Sequence, residues 1–211
     1  MPSQAESQPP RDRPSPSPRP GALSREERSA RYGHRGAVLW LTGLPGAGKT
    51  TLANALERVL IARGMHAAVL DGDEVRHGLS ADLGFSAAER AENIRRVAEV
   101  GRLLADAGLI VLAAFVSPHE SDRLHARQIV EREPRGIPFS EIYLDASLSV
   151  CERRDPKGMY ARARAGQIRQ FTGVSDSYQP PAHADLSVHT DQCTVDEAVA
   201  AVLDHLLPRV S

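Results

Sequence analysis

The 211 residues are 41% hydrophobic and 25% charged, with a formal net charge of −1; this suits one substantial globular domain and lacks the basic excess that meets nucleic acid or an anionic membrane. The longest apolar run, residues 109–116, has eight members where a bilayer span takes about 20, so neither nucleic acid nor membrane is expected as a partner. Cys151 and Cys193 are too few for a disulfide framework and lack metal-ligand spacing, which makes them packing residues of a reducing, cytoplasmic compartment.

Seven of the 15 prolines fall in the first 20 residues among Ser, Gln and Arg, and residues 1–24 read as a disordered Pro/Ser-rich tail, neither signal peptide nor amphipathic transit helix. The folded domain is expected over 25–211. A continuous apolar strand over 37–42 meets a Gly-rich turn and a helix over 49–63, where Leu52, Leu56, Val59 and Leu60 recur at helical spacing and Gly64 ends the run. A short strand over 67–70 runs into Asp71. A long helix opens with Ser86 three residues before Glu89, a capping-box spacing; its apolar face carries Ile94, Val97, Val100 and Leu104, and Gly108 ends it. Strands over 109–115 and 139–144 follow, then a polar Arg- and Gly-rich stretch over 152–181. A last strand over 186–189 precedes a helix that Thr194 and Glu197 cap and that runs to Leu207. Alternating strands and helices predict an α/β fold, a parallel sheet with helices on both faces, and ligands beyond the carboxyl ends of its strands; the Gly-rich turn after the first strand makes that sheet the P-loop NTPase type.

The strongest local signal is Gly43-Leu44-Pro45-Gly46-Ala47-Gly48-Lys49-Thr50, a complete G-x-x-x-x-G-K-[ST] between a strand and a helix. The glycines let successive N–H groups face phosphate oxygens at a helix N-terminus. Lys49 would reach the β- and γ-phosphates of ATP and the Thr50 hydroxyl would ligate Mg²⁺; Thr51 completes the cofactor-binding run. A carboxylate is also needed near the metal. Asp71-Gly72-Asp73 is expected to form a turn at the end of the second strand, one carboxylate facing the metal and the other the acceptor hydroxyl, with Asp145 a weaker rival as metal partner. Arg76, Arg90, Arg95 and Arg96 cluster nearby in a chain without net positive charge, which suits a bidentate grip on phosphate or sulfate. Phe115 and Phe139 read as core, whereas Phe85 and Phe171 stand in turn-rich surroundings as exposed candidates for stacking on a base.

These residues together resemble the adenylylsulfate kinase family. The resemblance rests on the P-loop, Asp71-Gly72-Asp73 with Arg76-His77-Gly78-Leu79, Asp82-Leu83-Gly84-Phe85-Ser86, Glu92-Asn93-Ile94-Arg95-Arg96, Phe115-Val116-Ser117-Pro118, Asp155-Pro156-Lys157-Gly158, Phe171-Thr172-Gly173 and Tyr178-Gln179-Pro180-Pro181. It implies transfer of the γ-phosphate of ATP to the 3′-hydroxyl of adenosine 5′-phosphosulfate, giving PAPS. By position, Arg76, Arg90 and Asn93 would hold the phosphosulfate and ribose, Phe85 and Phe171 would sandwich the acceptor adenine, and Val116 would line the same pocket. Asp73 would be the base or metal-water partner with Asp71 beside it, and Lys157 would sit on a mobile lid over 152–173, which carries six Arg or Lys. Ser117 matches a position described in this family as a phosphoserine site, although a buried strand-end hydroxyl needs no catalytic task. A homodimer is expected from the resemblance, and an association with ATP sulfurylase is compatible with it. Glu74 and His119-Glu120 depart from the family pattern, the first adding a negative charge near the acceptor and the second removing a positive one. The rival readings are another small-molecule P-loop kinase, which would not need both Phe85 and Phe171, and a nucleotide-dependent binding module, which would not need Asp73 and Lys157.

Overall fold

The computed structural model describes residues 21–132 and 136–211, so the expected tail lies outside the described residues except for its last four. Ser24, the final tail residue, caps the first helix, α1 (Arg25–Tyr32), through a capping box with Glu27. The remaining elements are β1 (Ala37–Thr42), α2 (Lys49–Ala62), β2 (Ala67–Asp71), α3 (Gly72–His77), α4 (Ala87–Asp106), β3 (Ile110–Ala114), α5 (Glu120–Val130), β4 (Phe139–Asp145), α6 (Leu148–Arg154), α7 (Met159–Arg164), β5 (Leu186–His189) and α8 (Val195–Val210).

Five parallel strands form one sheet in the order β2-β3-β1-β4-β5. The alternation of β1 divides the core between two faces. Leu39 and Leu41 join Leu52, Leu56 and Leu60 of α2 and Val202, Leu203 and Leu206 of α8 on one face. Val38 and Trp40 join Ile94 and Val97 of α4 and Ala126, Ile129 and Val130 of α5 on the other. β1 is buried along its whole length, which explains its continuous apolar sequence.

The capping boxes at Ser86 and Thr194 form. The apolar face of α4 is rotated from expectation: Ile94 and Val97 are buried, but Val100 and Leu104 are only half-buried, and Ala98, Gly101 and Ala105 face the sheet. Small residues permit this approach, since a Cβ on Gly36 would lie 2.0 Å from the Ala105 carbonyl oxygen. Asp71-Gly72-Asp73 is the start of a helix rather than a turn. The Asp71 carboxylate accepts from the Asp73 N–H at 2.9 Å, an N-cap that offsets the low helix propensity of Gly72. The basic stretch after β4 contributes α6 and α7, anchored by Tyr160, which is 1% exposed and donates to the Pro45 carbonyl at 2.9 Å.

Candidate active site

The carboxyl ends of β1, β2 and β3 open into one cavity of about 1020 Å³, bounded by Pro45 to Thr51, Asp71 to Asp73, the 114–118 segment, Arg76, Phe85, Arg90 and Asn93, and Arg154 to Lys157 with Phe171. Its phosphate end follows from the backbone of the β1–α2 loop. Gly46 and Gly48 hold φ of 81° and 98°, in the left-handed region that favours glycine, and a Cβ on Gly46 would lie 2.8 Å from the Cys151 carbonyl oxygen. The N-cap of α2 is Gly48 and no side chain caps it, in contrast to the boxes on α1, α4 and α8. The first N–H groups of α2 are therefore left for an anion. Gly43 and Leu44 are set back from the cavity wall and their carbonyls accept from Lys49 Nζ at 2.9 and 2.8 Å. Burial of that ammonium pushes its pKa down to about 8.

Thr50 Oγ1 donates to Asp71 Oδ2 at 2.7 Å. The Asp73 carboxylate, expected beside the metal or at the acceptor hydroxyl, pairs with Lys157 across the cavity mouth, both side chains being about two-thirds exposed. Thr50 and Asp71 present hard oxygen donors beside the uncapped helix end, a donor set that fits Mg²⁺, which takes one or two carboxylates together with phosphate oxygens and water.

At the end of the cavity away from the P-loop the arginines are turned toward the protein itself. Arg76 Nη1 donates to the Gly84 carbonyl at 2.8 Å, and its guanidinium lies 4.3 Å from the centre of the Phe85 ring. Arg90 Nε donates to the Phe85 carbonyl at 2.8 Å, Nη1 to Thr172 Oγ1 at 3.1 Å and Nη2 to the Gln170 carbonyl, with Asp176 as ion-pair partner. Arg90 thus ties the segment that carries Phe85 to the segment that carries Phe171. Arg95 and Arg96 lie outside the cavity: both pair with Glu92, and Arg96 also with Asp82. Phe85 is 61% exposed as expected. Phe171 is not: it is 9% exposed and packs edge-on against Tyr160 with ring centres 5.0 Å apart, although it still lines the cavity. Asn93 is 3% exposed and its Oδ1 has no hydrogen-bond partner, which leaves a buried acceptor on the cavity wall. Val116 and Ser117 belong to that wall too, and Ser117 is 3% exposed. Asp145 ends β4 outside the cavity, in contact with Tyr143 and with His189 of the neighbouring β5.

The sequence reading missed Arg154, which donates to the Gly46 carbonyl at 3.3 Å and the Thr190 carbonyl at 2.6 Å. It also missed Thr190, Thr194, Val195 and Ala198, which extend the cavity past the P-loop on the β5 side. Arg154 stands one residue before the Asp155-Pro156-Lys157 signature, and that adjacency was the available signal.

A P-loop at the end of the central strand, a hydroxyl and a carboxylate beside it, and a second pocket reached through the same cavity define a P-loop kinase that phosphorylates a small molecule. Comparison with known proteins narrows this class. The family described as adenylylsulphate kinase matches residues 35–189, and the chain belongs to that family. An adenylyl-sulfate kinase of Shewanella amazonensis is 52% identical over 186 residues, covering 88% of this chain and 92% of that protein. One from Marinobacter nauticus is 51% identical over 187 residues, covering 89% and 92%. Among solved structures, the Mycobacterium tuberculosis APS kinase CysC in complex with AMPPNP and APS aligns with a TM-score of 0.79 at 48% identity, covering 82% of this chain and 98% of that one.

Proposed function

We propose that the chain transfers the γ-phosphate of ATP to the 3′-hydroxyl of adenosine 5′-phosphosulfate, releasing PAPS and ADP. The observation that carries this is the single cavity in which an uncapped P-loop helix and an arginine-braced aromatic pocket face each other. The N–H groups of the loop and of the first turn of α2 cradle the phosphates of ATP. Lys49 leaves the Gly43 and Leu44 carbonyls to follow negative charge onto the β- and γ-phosphates. Thr50 and Asp71 would hold Mg²⁺, which when bound would neutralise phosphate charge. Asp73 orients the acceptor hydroxyl and takes its proton as the hydroxyl oxygen bonds to the γ-phosphorus and the bond to the β-phosphate oxygen breaks. Lys157, released from Asp73, moves with the flap toward the transferring group.

On the acceptor side, Phe85 stacks on the adenine and Phe171 closes the pocket from its buried position. Asn93 Oδ1 accepts from the ribose, and Arg76 and Arg90 keep the site positive while holding the aromatic segments in place. The proposed enzyme works in the cytoplasm as a homodimer, with an association with ATP sulfurylase compatible with the same role; sedimentation should return twice the chain mass. Among the described residues no helix is long and apolar enough to cross a membrane. The reaction is tested by supplying ATP, Mg²⁺ and adenosine 5′-phosphosulfate and resolving the nucleotides: one 3′-phosphorylated product should form per ADP. ADP without a phosphorylated acceptor would instead support a nucleotide-hydrolysing module.

A further inference from the structure

Behind the acceptor wall, outside the cavity, lies a buried arginine that the proposed reaction does not use. Arg123 of α5 is 2% exposed, and its fork is divided among three segments. Nε donates to Glu141 Oε1 on β4 at 2.5 Å, Nη1 to the Ser117 carbonyl at 2.9 Å and Nη2 to the Gln179 carbonyl at 2.9 Å. Gln179 completes the brace: its N–H donates to the Pro118 carbonyl at 2.9 Å, and its Oε1 accepts from the Glu120 N–H at 2.9 Å. Two of these bonds end on the carbonyls of Ser117 and Pro118, in the turn that leaves β3 and supplies Val116, Ser117 and Pro118 to the cavity wall; the others tie Arg123 and Gln179 to each other, to β4 and to the start of α5.

That turn is strained. Ser117 has φ of 38°, a left-handed conformation that a non-glycine residue keeps only where its surroundings over-determine it. Its side chain is held from within. Trp40 Nε1 donates to Ser117 Oγ at 3.1 Å, Ser117 Oγ donates to Thr42 Oγ1 at 3.0 Å, and Thr42 Oγ1 donates to the Val116 carbonyl at 2.8 Å. The Ser117 hydroxyl has its nearer acceptor in this network and a second, the Phe115 carbonyl, at 3.4 Å.

We propose that Arg123 is a positioning residue for the acceptor: it clamps the strained Ser117 turn against β4 and so fixes Val116 and Pro118 in the wall of the acceptor pocket, with Ser117 serving as part of the clamp. The proposal rests on the acceptor assignment made under the proposed function. β3 lies between β2 and β1, so its carboxyl end meets the cavity between Asp71 and the P-loop, and because Val116 is assigned to the acceptor pocket, the effect of a shifted turn is expected first in acceptor binding. Lysine cannot replace this residue, because one ammonium on a flexible stem cannot satisfy a carboxylate and two diverging carbonyls in fixed geometry.

The test uses the full chain with Arg123→Lys, and Arg127→Lys one turn further on as the control for replacing a paired arginine. Steady-state kinetics should show the KM for adenosine 5′-phosphosulfate raised about tenfold in Arg123→Lys, with kcat and the KM for ATP within about threefold of wild type, and no such split in Arg127→Lys. Trp40, the only tryptophan, reports the turn directly, and its emission should shift in Arg123→Lys. A double variant, Arg123→Met with Glu141→Met, removes both charges together so that neither is left buried alone; it should show the same KM split. An acceptor KM that stays at the wild-type value, or that rises only in step with the KM for ATP, overturns the proposal, as does loss of folding in both variants, which would make Arg123 a general structural residue. Absence of wild-type turnover with this acceptor would instead overturn the proposed reaction.

Discussion

The two ends of the cavity are built by different means. The donor end is made largely of backbone: glycines in left-handed conformations turn N–H groups inward, and the Lys49 ammonium rests on carbonyls five and six residues before it in the chain. The end proposed to hold the acceptor is made of side chains from distant segments, with Arg90 reaching 80 residues along the chain to Gln170 and Arg76 supporting the loop before Phe85. A backbone site can be written in eight consecutive residues. A side-chain site needs cross-links to hold its parts in register, and here arginines that suggest anion binding act first as those cross-links. Variants at the two ends should therefore fail differently.

The largest effect is expected at the donor end. Lys49→Ala should lose on the order of 10² to 10³ in kcat, the scale for one aligned charge-stabilising donor, with an unchanged melting temperature; near-normal turnover in the folded variant would remove the P-loop from the chemistry. Where the two ends meet, Asp73→Asn should keep both nucleotides bound within a few-fold and lose at least about 10² in kcat. Recovery at high Mg²⁺ would identify a metal-shell role, and a persistent defect the base. The acceptor end should then separate its two aromatic residues. Phe85→Ala, on an exposed ring, should weaken acceptor binding by about 1–3 kcal/mol, the range for loss of base stacking, without loss of stability. Phe171→Ala should in addition cost about 3–5 kcal/mol of stability as a buried truncation, measured by urea unfolding. Equal stability losses in the two variants would erase the distinction between the rings.

A smaller effect should appear with pH. In the ligand-free site Lys49 loses its proton near pH 8, whereas bound phosphate favours the charged form. ATP affinity should accordingly be flat below pH 8 and fall above it, by at most about tenfold per unit. The stability contribution of this group has the opposite slope. The unfolded chain holds the proton to about pH 10.5 and the folded chain only to about 8, so this contribution rises with pH across that interval. Calorimetric titration of a non-hydrolysable ATP analogue across pH 7–9 measures the first slope, and Lys49→Arg, which keeps its charge, should flatten it. The smallest effect is at the brace of the Phe85 loop, where Ser86→Ala removes one half of the α4 capping box and should cost about 1 kcal/mol by urea midpoint.

The same contrast governs what the sequence disclosed. β1, the P-loop and α2 were legible because one strand, one turn and one helix carry the whole signal in order. α5 was not, because Arg123 stands in its buried stripe with Ala126, Ile129 and Val130 and interrupts the apolar period on which a helix assignment depends. α3 looked like a turn because Gly72 lies between two aspartates, and its capping by Asp71 depends on a side-chain geometry that the same residues could equally supply to a turn. Phe171 looked exposed because its neighbours are polar, while its burial comes from Tyr160, eleven residues earlier and on another element. Of the clustered arginines Arg76 and Arg90 line the cavity, but their carbonyl partners are set by tertiary structure and had no local trace.

The central claim is that the braced pocket selects a phosphosulfate nucleotide. It is tested most directly by measuring kcat/KM with saturating ATP and Mg²⁺ across adenosine 5′-phosphosulfate, adenosine 5′-phosphate, shikimate and a hexose. Turnover with adenosine 5′-phosphosulfate, at least about a thousandfold above every other acceptor, is the predicted result. Comparable turnover with a sugar or an unsulfated nucleotide would contradict it.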